Sequence, residues 1–412
     1  MHVANIRTLC IVVFCAAAIA SPSPVQHQAN KAALAKRATC TPTAGGIQSI
    51  DDTPAIHSAI ITCGKGGTIV IPAGVTYYLR SMLDMTGCVG CTFNLEGTLK
   101  ASDDTTYWNG KTAIILFNGI SGCTFQSLTG SGMIDGNGQA SYDLFATDSS
   151  YARATTVYIE GASSNLKFKG FRVHNPPNVF FNMKGSLTNL VFASLTMDAA
   201  SKSTNAAKNT DGFDVGATTY VTITDTTVSN DDDCVAFKAG ANYVSVSGIT
   251  CTGSHGLSVG SLGSSASSDD TVKNIYVTDA TMINSSKAVG IKLYPGGSAH
   301  GTATVSNVTY DGVTVTNCDY AAQIQSCYNE DASYCASYPS TAIVTGVYFK
   351  NFKGTTSTKY EPDIANIDCP GAGTCDVFFS GWSVKPPSGT AAYLCANVDS
   401  SPGITCTSEA TG

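Results

Sequence analysis

The chain has 412 residues, enough for a large core or for two ordinary domains. Only 13% of them are charged, while Gly (40), Thr, Ser and Val abound and helix-forming Glu, Lys and Arg are few, the profile of a β-rich protein with many turns. The net charge is −7 and nothing resembles a basic stripe, which argues against a nucleic-acid partner.

At the N-terminus Arg7 precedes an apolar run, TLCIVVFCAAAIA (8–20), that ends in Ala18-Ile19-Ala20. The run is too short to span a bilayer, and its small-residue end fits signal-peptidase cleavage, so residues 1–20 read as a signal peptide. A retained membrane anchor is the alternative. Residues 21–37 read as a pro-peptide that ends at the dibasic pair Lys36-Arg37. Loss of residues 1–37 removes four of the 23 basic residues (Arg7, Lys31, Lys36, Arg37) and no acidic one, leaving 19 against 30, or −11. No interdomain linker is visible after Cys40, so residues 38–412 are expected to form one domain of a secreted, extracellular, monomeric protein without a membrane partner.

Cys10 and Cys15 of the sixteen cysteines fall in the signal, which leaves fourteen, an even number that in a secreted chain suggests disulfides rather than metal sites. Local bridges are expected at Cys234–Cys251, Cys369–Cys375 and Cys395–Cys406, with Cys40 and Cys63 as further candidates. Sequence alone leaves the pairing open. Asn284-Ser285-Ser286 and Asn307-Val308-Thr309 are glycosylation sequons.

From residue 165 onward one phrase recurs: a start residue, then apolar residues at alternate positions. It reads NLKFKGFRV (165–173), NLVFASLTM (189–197), YVTITDTTV (220–228), YVSVSGITC (243–251), NIYVTDATM (274–282), NVTYDGVTV (307–315) and GVYFKNFKG (346–354). Successive starts lie 24, 31, 23, 31, 33 and 39 residues apart. Such a period, in β-branched segments split by Gly, Asn and Asp, predicts a solenoid. With no helical pattern between repeats, the fold class is all-β, a single-domain right-handed parallel β-helix. A β-sandwich or propeller is the competing reading, against which stand the uneven spacing and the scarcity of tight hairpin signals.

Inside these repeats lie two acidic stretches, NTDGFD (209–214) and NDDDC (230–234). Residues one period apart in a solenoid stack at about the 4.8 Å strand spacing. Asp211 to Asp232 is 21 residues and Asp233 to His255 is 22, so Asp211, Asp232, Asp233 and His255 are expected in one column across three coils. Lys292, 37 residues beyond His255, lies one coil plus a loop further on. Clustered carboxylates cannot all ionise freely, so one holds a proton while its neighbours stay charged. Glycosidic cleavage needs that division, an acid for the leaving oxygen and a base for water.

Other readings of the same residues are weaker. Asp and Asn also cap solenoid turns. DDDCVAFKAG lacks the later Gly and Glu of an EF-hand loop, so no metal is expected. GLSVG (256–260) matches a nucleophile elbow at Ser258, but a polar loop follows instead of a helix, and only His300 could complete a triad. GSGMIDGNG (130–138) misses the dinucleotide-binding spacing, so no cofactor is expected. His57 and His174 read as structural.

Taken together, IDGNG (134–138), NTDGFD, NDDDC, GSHGLSVGSLG (253–263) and GIKLYPGG (290–297) resemble, in order, the motifs of the polygalacturonase family, glycoside hydrolase family 28. The resemblance spans the chain beyond the pro-peptide. It implies hydrolysis of pectic galacturonan with inversion, with Asp232 as general acid and Asp211 and Asp233 holding and activating water. His255 would stand beside them, Asn209 and Lys292 would bind substrate, and Tyr328 in QIQSCY (323–328) would match the substrate-binding tyrosine. The family's usual Arg-Ile-Lys is here Gly290-Ile291-Lys292, which removes a bidentate carboxylate grip and is expected to leave space beside the scissile bond. With NDDDC, this combination is most similar to xylogalacturonan hydrolases, an endo or exo polygalacturonase on unbranched chains being the alternative. A pectate-lyase-like enzyme and a non-catalytic polysaccharide-binding solenoid are remoter alternatives.

Overall fold

The computed structural model describes residues 37–399, 401–410 and 412. The signal peptide read over residues 1–20 and the pro-peptide read over 21–37, except for its last residue Arg37, lie outside the described residues. Residues Ala38–Gly412 form one unit, a right-handed parallel β-helix as expected. Its strands pair in parallel throughout and fall into a 21-stranded and an 11-stranded sheet. The helix Thr53–Cys63 packs against the first strands.

Stacking follows from the recurring phrase. Its start residues all adopt left-handed backbone: Asn165 (φ 55°), Asn189 (60°), Tyr220 (63°), Tyr243 (55°), Asn274 (57°), Asn307 (54°) and Gly346 (61°). Asn and Gly tolerate this region, which is why they open five of the seven repeats, Tyr220 and Tyr243 being the others. The asparagines bond to one another along the stack, Asn189 Nδ2 donating to Asn165 Oδ1 at 2.6 Å and Asn307 to Asn274 at 2.7 Å. Both sequon asparagines, Asn284 and Asn307, are exposed members of such turns. Inside, equivalent apolar residues stack in register: Phe168 on Phe192 with centroids 5.0 Å apart, and Phe181 on Phe213 at 5.4 Å. Offset ring stacks of this kind add to the burial of each aromatic face.

The disulfide candidates pair as Cys40–Cys63, Cys234–Cys251, Cys369–Cys375 and Cys395–Cys406. Two further bridges, Cys88–Cys91 and Cys327–Cys335, went unread. The parity argument fails for two residues: Cys123 and Cys318 are buried and free. They serve as small apolar core residues, a common use of unpaired cysteine.

Candidate active site

The 11-stranded sheet carries the site. In its middle, Phe213–Val215, Val235–Phe237, Leu257–Leu262 and Lys287–Leu293 stack in register. Phe213, Val235, Leu257 and Val289 point into the core, as do Val215, Phe237, Val259 and Ile291. Alternation then turns Asp214, Ala236, Ser258 and Gly290 outward in one row. The carboxylates sit just before these strands, where each coil bends. That register places Asp233, two residues before Val235, over Asp211, two before Phe213, so the stacked partner of Asp211 is Asp233 rather than Asp232. Asp232 stands one residue aside.

The three are nonetheless together: one oxygen from each of Asp211, Asp232 and Asp233 lies within 4.8 Å of the others. They line a cleft of about 600 Å³ with Asn209, Asp214, Lys238, Arg153, Lys292 and Tyr328. Asn230 braces the bend, its Nδ2 donating to the carbonyls of Thr210 (2.7 Å), Asp232 (3.0 Å) and Asp233 (3.0 Å). The Cys234–Cys251 bridge anchors the next residue. The NDDDC stretch is thus one carbonyl brace, two site carboxylates and one anchor.

The partners differ for each carboxylate. Asp233 is buried and its Oδ2 meets Lys292 Nζ at 2.5 Å. Asp232 Oδ1 faces His255 Nδ1 at 3.2 Å and accepts from the Asp233 amide at 2.8 Å, while Oδ2 accepts from Asn209 Nδ2 at 3.3 Å. Asp211 has Lys238 Nζ at 3.7 Å, and Lys238 is shared with Asp214 at 3.4 Å. Arg153 stacks 3.7 Å over the Phe145 ring and donates to Asn209 Oδ1 at 2.7 Å, fixing which end of that amide faces Asp232. Tyr328 has its ring centroid 5.5 Å from Lys292 Nζ.

These surroundings divide the protons. Burial and the charges of Asp214 and Asp232 push Asp211 well above the usual carboxylate range. Burial acts upward on Asp232 too, but the hydrogen bond and charge of His255, then Lys292, outweigh it and bring Asp232 to about 2. Burial likewise raises Asp214. Of the three, Asp211 is the carboxylate whose surroundings most favour holding a proton. A divalent cation could also bridge three oxygens so spaced, but Lys292 and Lys238 already supply positive charge there.

The structure thus brings Asp211, Asp232, Asp233, His255, Lys292, Asn209 and Tyr328 into one region. Ser258 and His300 do not form a triad: Ser258 is fully buried and reaches the carbonyl of its own neighbour His255, while His300 faces Glu330 at 3.1 Å. The space expected beside Gly290 is not open. A Cβ at Gly290 would lie 2.6 Å from both Cδ and Cε of Lys287, whose side chain covers that glycine. Asp214, Lys238, Arg153 and Lys287 were missed. Alternation along FDV and VAFK would have pointed Asp214 and Lys238 outward; nothing in spacing marks Arg153 or Lys287.

Comparison with known proteins follows this geometry. The family described as Glycosyl hydrolases family 28 matches residues 63–406. The chain is 58% identical over 406 residues to endo-xylogalacturonan hydrolase A of Aspergillus tubingensis, covering 98% of this chain and 99% of that protein. A probable endo-xylogalacturonan hydrolase A of Aspergillus niger is also 58% identical over the same length. The crystal structure of the Aspergillus tubingensis endo-xylogalacturonan hydrolase superposes with a TM-score of 0.89 at 60% identity, covering 91% of this chain and all of that one. A polygalacturonase from Erwinia carotovora ssp. carotovora, 19% identical with a TM-score of 0.67 over 89% of this chain and 97% of its own, shares the fold.

Proposed function

The chain belongs to glycosyl hydrolase family 28, and from that premise we propose that it is a secreted endo-acting hydrolase of xylose-substituted galacturonan. The single observation that carries the chemistry is the gathering of Asp211, Asp232 and Asp233 oxygens within 4.8 Å in an open cleft. The branched substrate is supported by the activity named for relatives 58% identical along nearly the whole chain.

Asp232 is the general acid in this reading, and its low affinity for a proton in the empty cleft sets a condition on how it works. His255 and Lys292 hold it ionised. An arriving galacturonate carboxylate answers the positive charge of Lys292 and so lifts the smaller part of that restraint, moving Asp232 upward toward the range in which it can give a proton. Protonation of the glycosidic oxygen then occurs only with substrate in place. Asp211 and Asp233 hold the attacking water, and Asn209, kept in orientation by Arg153, contacts the sugar.

The nearest carboxylate oxygens are closer than the ~6.5–9.5 Å usual for an inverting pair. Inversion, which the family resemblance implies, then requires water beside Asp211 and Asp233 on the face of the sugar away from Asp232. Since Lys287 fills the place beside Gly290, room for a xylose branch belongs elsewhere in the cleft. That filling favours one second reading, hydrolysis of unbranched galacturonan.

The test is product analysis on xylosylated and linear galacturonan side by side. This reading expects reducing ends without ultraviolet-absorbing unsaturated products, and faster release from the xylosylated polymer. Equal or faster release from the linear polymer would favour the second reading; unsaturated products would overturn hydrolysis.

A further inference from the structure

Lys287 opens the strand Lys287–Leu293, two residues before Val289, just as His255 stands two before Leu257, the ladder partner of Val289. It therefore continues the line Asp211–Asp233–His255 by one coil. The residue is only 5% exposed, yet it has no hydrogen-bond or ion-pair partner among the described residues. A buried ammonium without a partner is costly, and proteins keep one where a counter-ion arrives later. No nearby carboxylate fills that role, since Asp233 is taken by Lys292 and Asp232 by His255 and Asn209.

The glycine at 290 is what admits this arrangement. Gly290 faces outward in its strand, and the Cδ and Cε of Lys287 occupy the volume any side chain there would need. The cation absent from position 290 is thus replaced from three residues upstream on the same strand.

We propose that Lys287 is a substrate-binding residue that, beside Lys292, receives a galacturonate carboxylate, with Gly290 required so that its chain can lie across the strand. This deepens the function proposed above and rests on it. Burial, with the adjacent Lys292, also lowers the Lys287 ammonium to about 8, against partial support from Asp233 and Asp232. A bound carboxylate would reverse that direction.

The experiment is steady-state kinetics and thermal unfolding of Lys287→Met on xylosylated galacturonan. Loss of one charge-assisted contact should raise KM about tenfold or more, with kcat within about threefold of wild type. The melting temperature should hold or rise, because an unpaired buried charge has gone. Gly290→Ala, which displaces the same side chain without removing its charge, should raise KM in the same direction. An unchanged KM in either folded variant overturns the inference, and so does a lower melting temperature with unchanged kinetics, the mark of a purely structural lysine. If wild type releases no reducing ends, the functional reading falls and this inference with it.

Discussion

Two columns of charged side chains run along this β-helix, built by the same register and put to opposite uses. In one, Lys100, Asp135, His174 and Asp198 stack on successive coils. Charges alternate there, with Lys100 3.0 Å from Asp135 and His174 2.5 Å from Asp198. In the other, Asp211 and Asp233 stack with Asp232 at their side, so like charges meet and the cations stand around them. The first column satisfies its members at rest. The second holds an excess of carboxylates that a shared proton relieves. A solenoid makes either arrangement easy, because one residue choice per coil decides what stacks on what.

The largest effect expected from breaking this contrast is at Asp232. Asp232→Asn keeps the shape but cannot give a proton, so turnover should fall by about 10²–10⁴-fold while the fold persists. Reducing-end assays with circular dichroism on the same sample check this; activity within tenfold of wild type would move the acid elsewhere, Asp211 first.

Stability should answer in opposite senses within the acidic column itself. Asp211 has a folded-state affinity for protons raised by burial and by Asp214, so it opposes folding once pH passes its ordinary value and increasingly until its raised one. Asp232 is lowered to about 2, so its contribution is present above about 3.9 and is lost as pH falls toward 2. Denaturant unfolding across pH 2–7 should therefore show Asp232→Asn losing stability near neutrality, whereas Asp211→Asn gains stability there.

The paired column should behave as an ordinary surface device. His174 is raised, mainly by its hydrogen bond to Asp198 against the opposing pull of burial. Its stabilisation is complete below about pH 6.5 and fades as pH rises through the raised value. Both side chains are about a third exposed, so Asp198→Asn should cost no more than about 1 kcal/mol, at pH 5 and less at pH 9, with turnover unchanged. A smaller effect still is expected from metal removal: treatment with EDTA should leave the hydrolysis rate within error, and a loss restored by Ca²⁺ would mean that the carboxylates hold an ion.

Much of this contrast was legible in the chain. The repeat starts are visible because left-handed turn positions select Asn and Gly, and the alternation after them because one face of each strand is core. The aspartates were found by period, and the 22-residue step from Asp233 to His255 agrees with the ladder, but the 21-residue step from Asp211 to Asp232 was off by one, since 21 and 22 are indistinguishable until a register such as Phe213 on Val235 is known. Lys287 was out of reach for a sharper reason. The coil between Leu257 and Val289 takes 32 residues rather than 22, so no fixed period carries His255 onto it. The ladder of His174 and Asp198 lies on short strands of three residues, too brief to show a pattern.

If the acidic column is kept for chemistry at the expense of stability, melting temperature and reducing-end release on xylosylated galacturonan should move in opposite directions for Asp211→Asn at pH 7. The variant should melt higher than wild type and release almost nothing. A variant that melts lower, or that melts higher and still turns over at the wild-type rate, would contradict it.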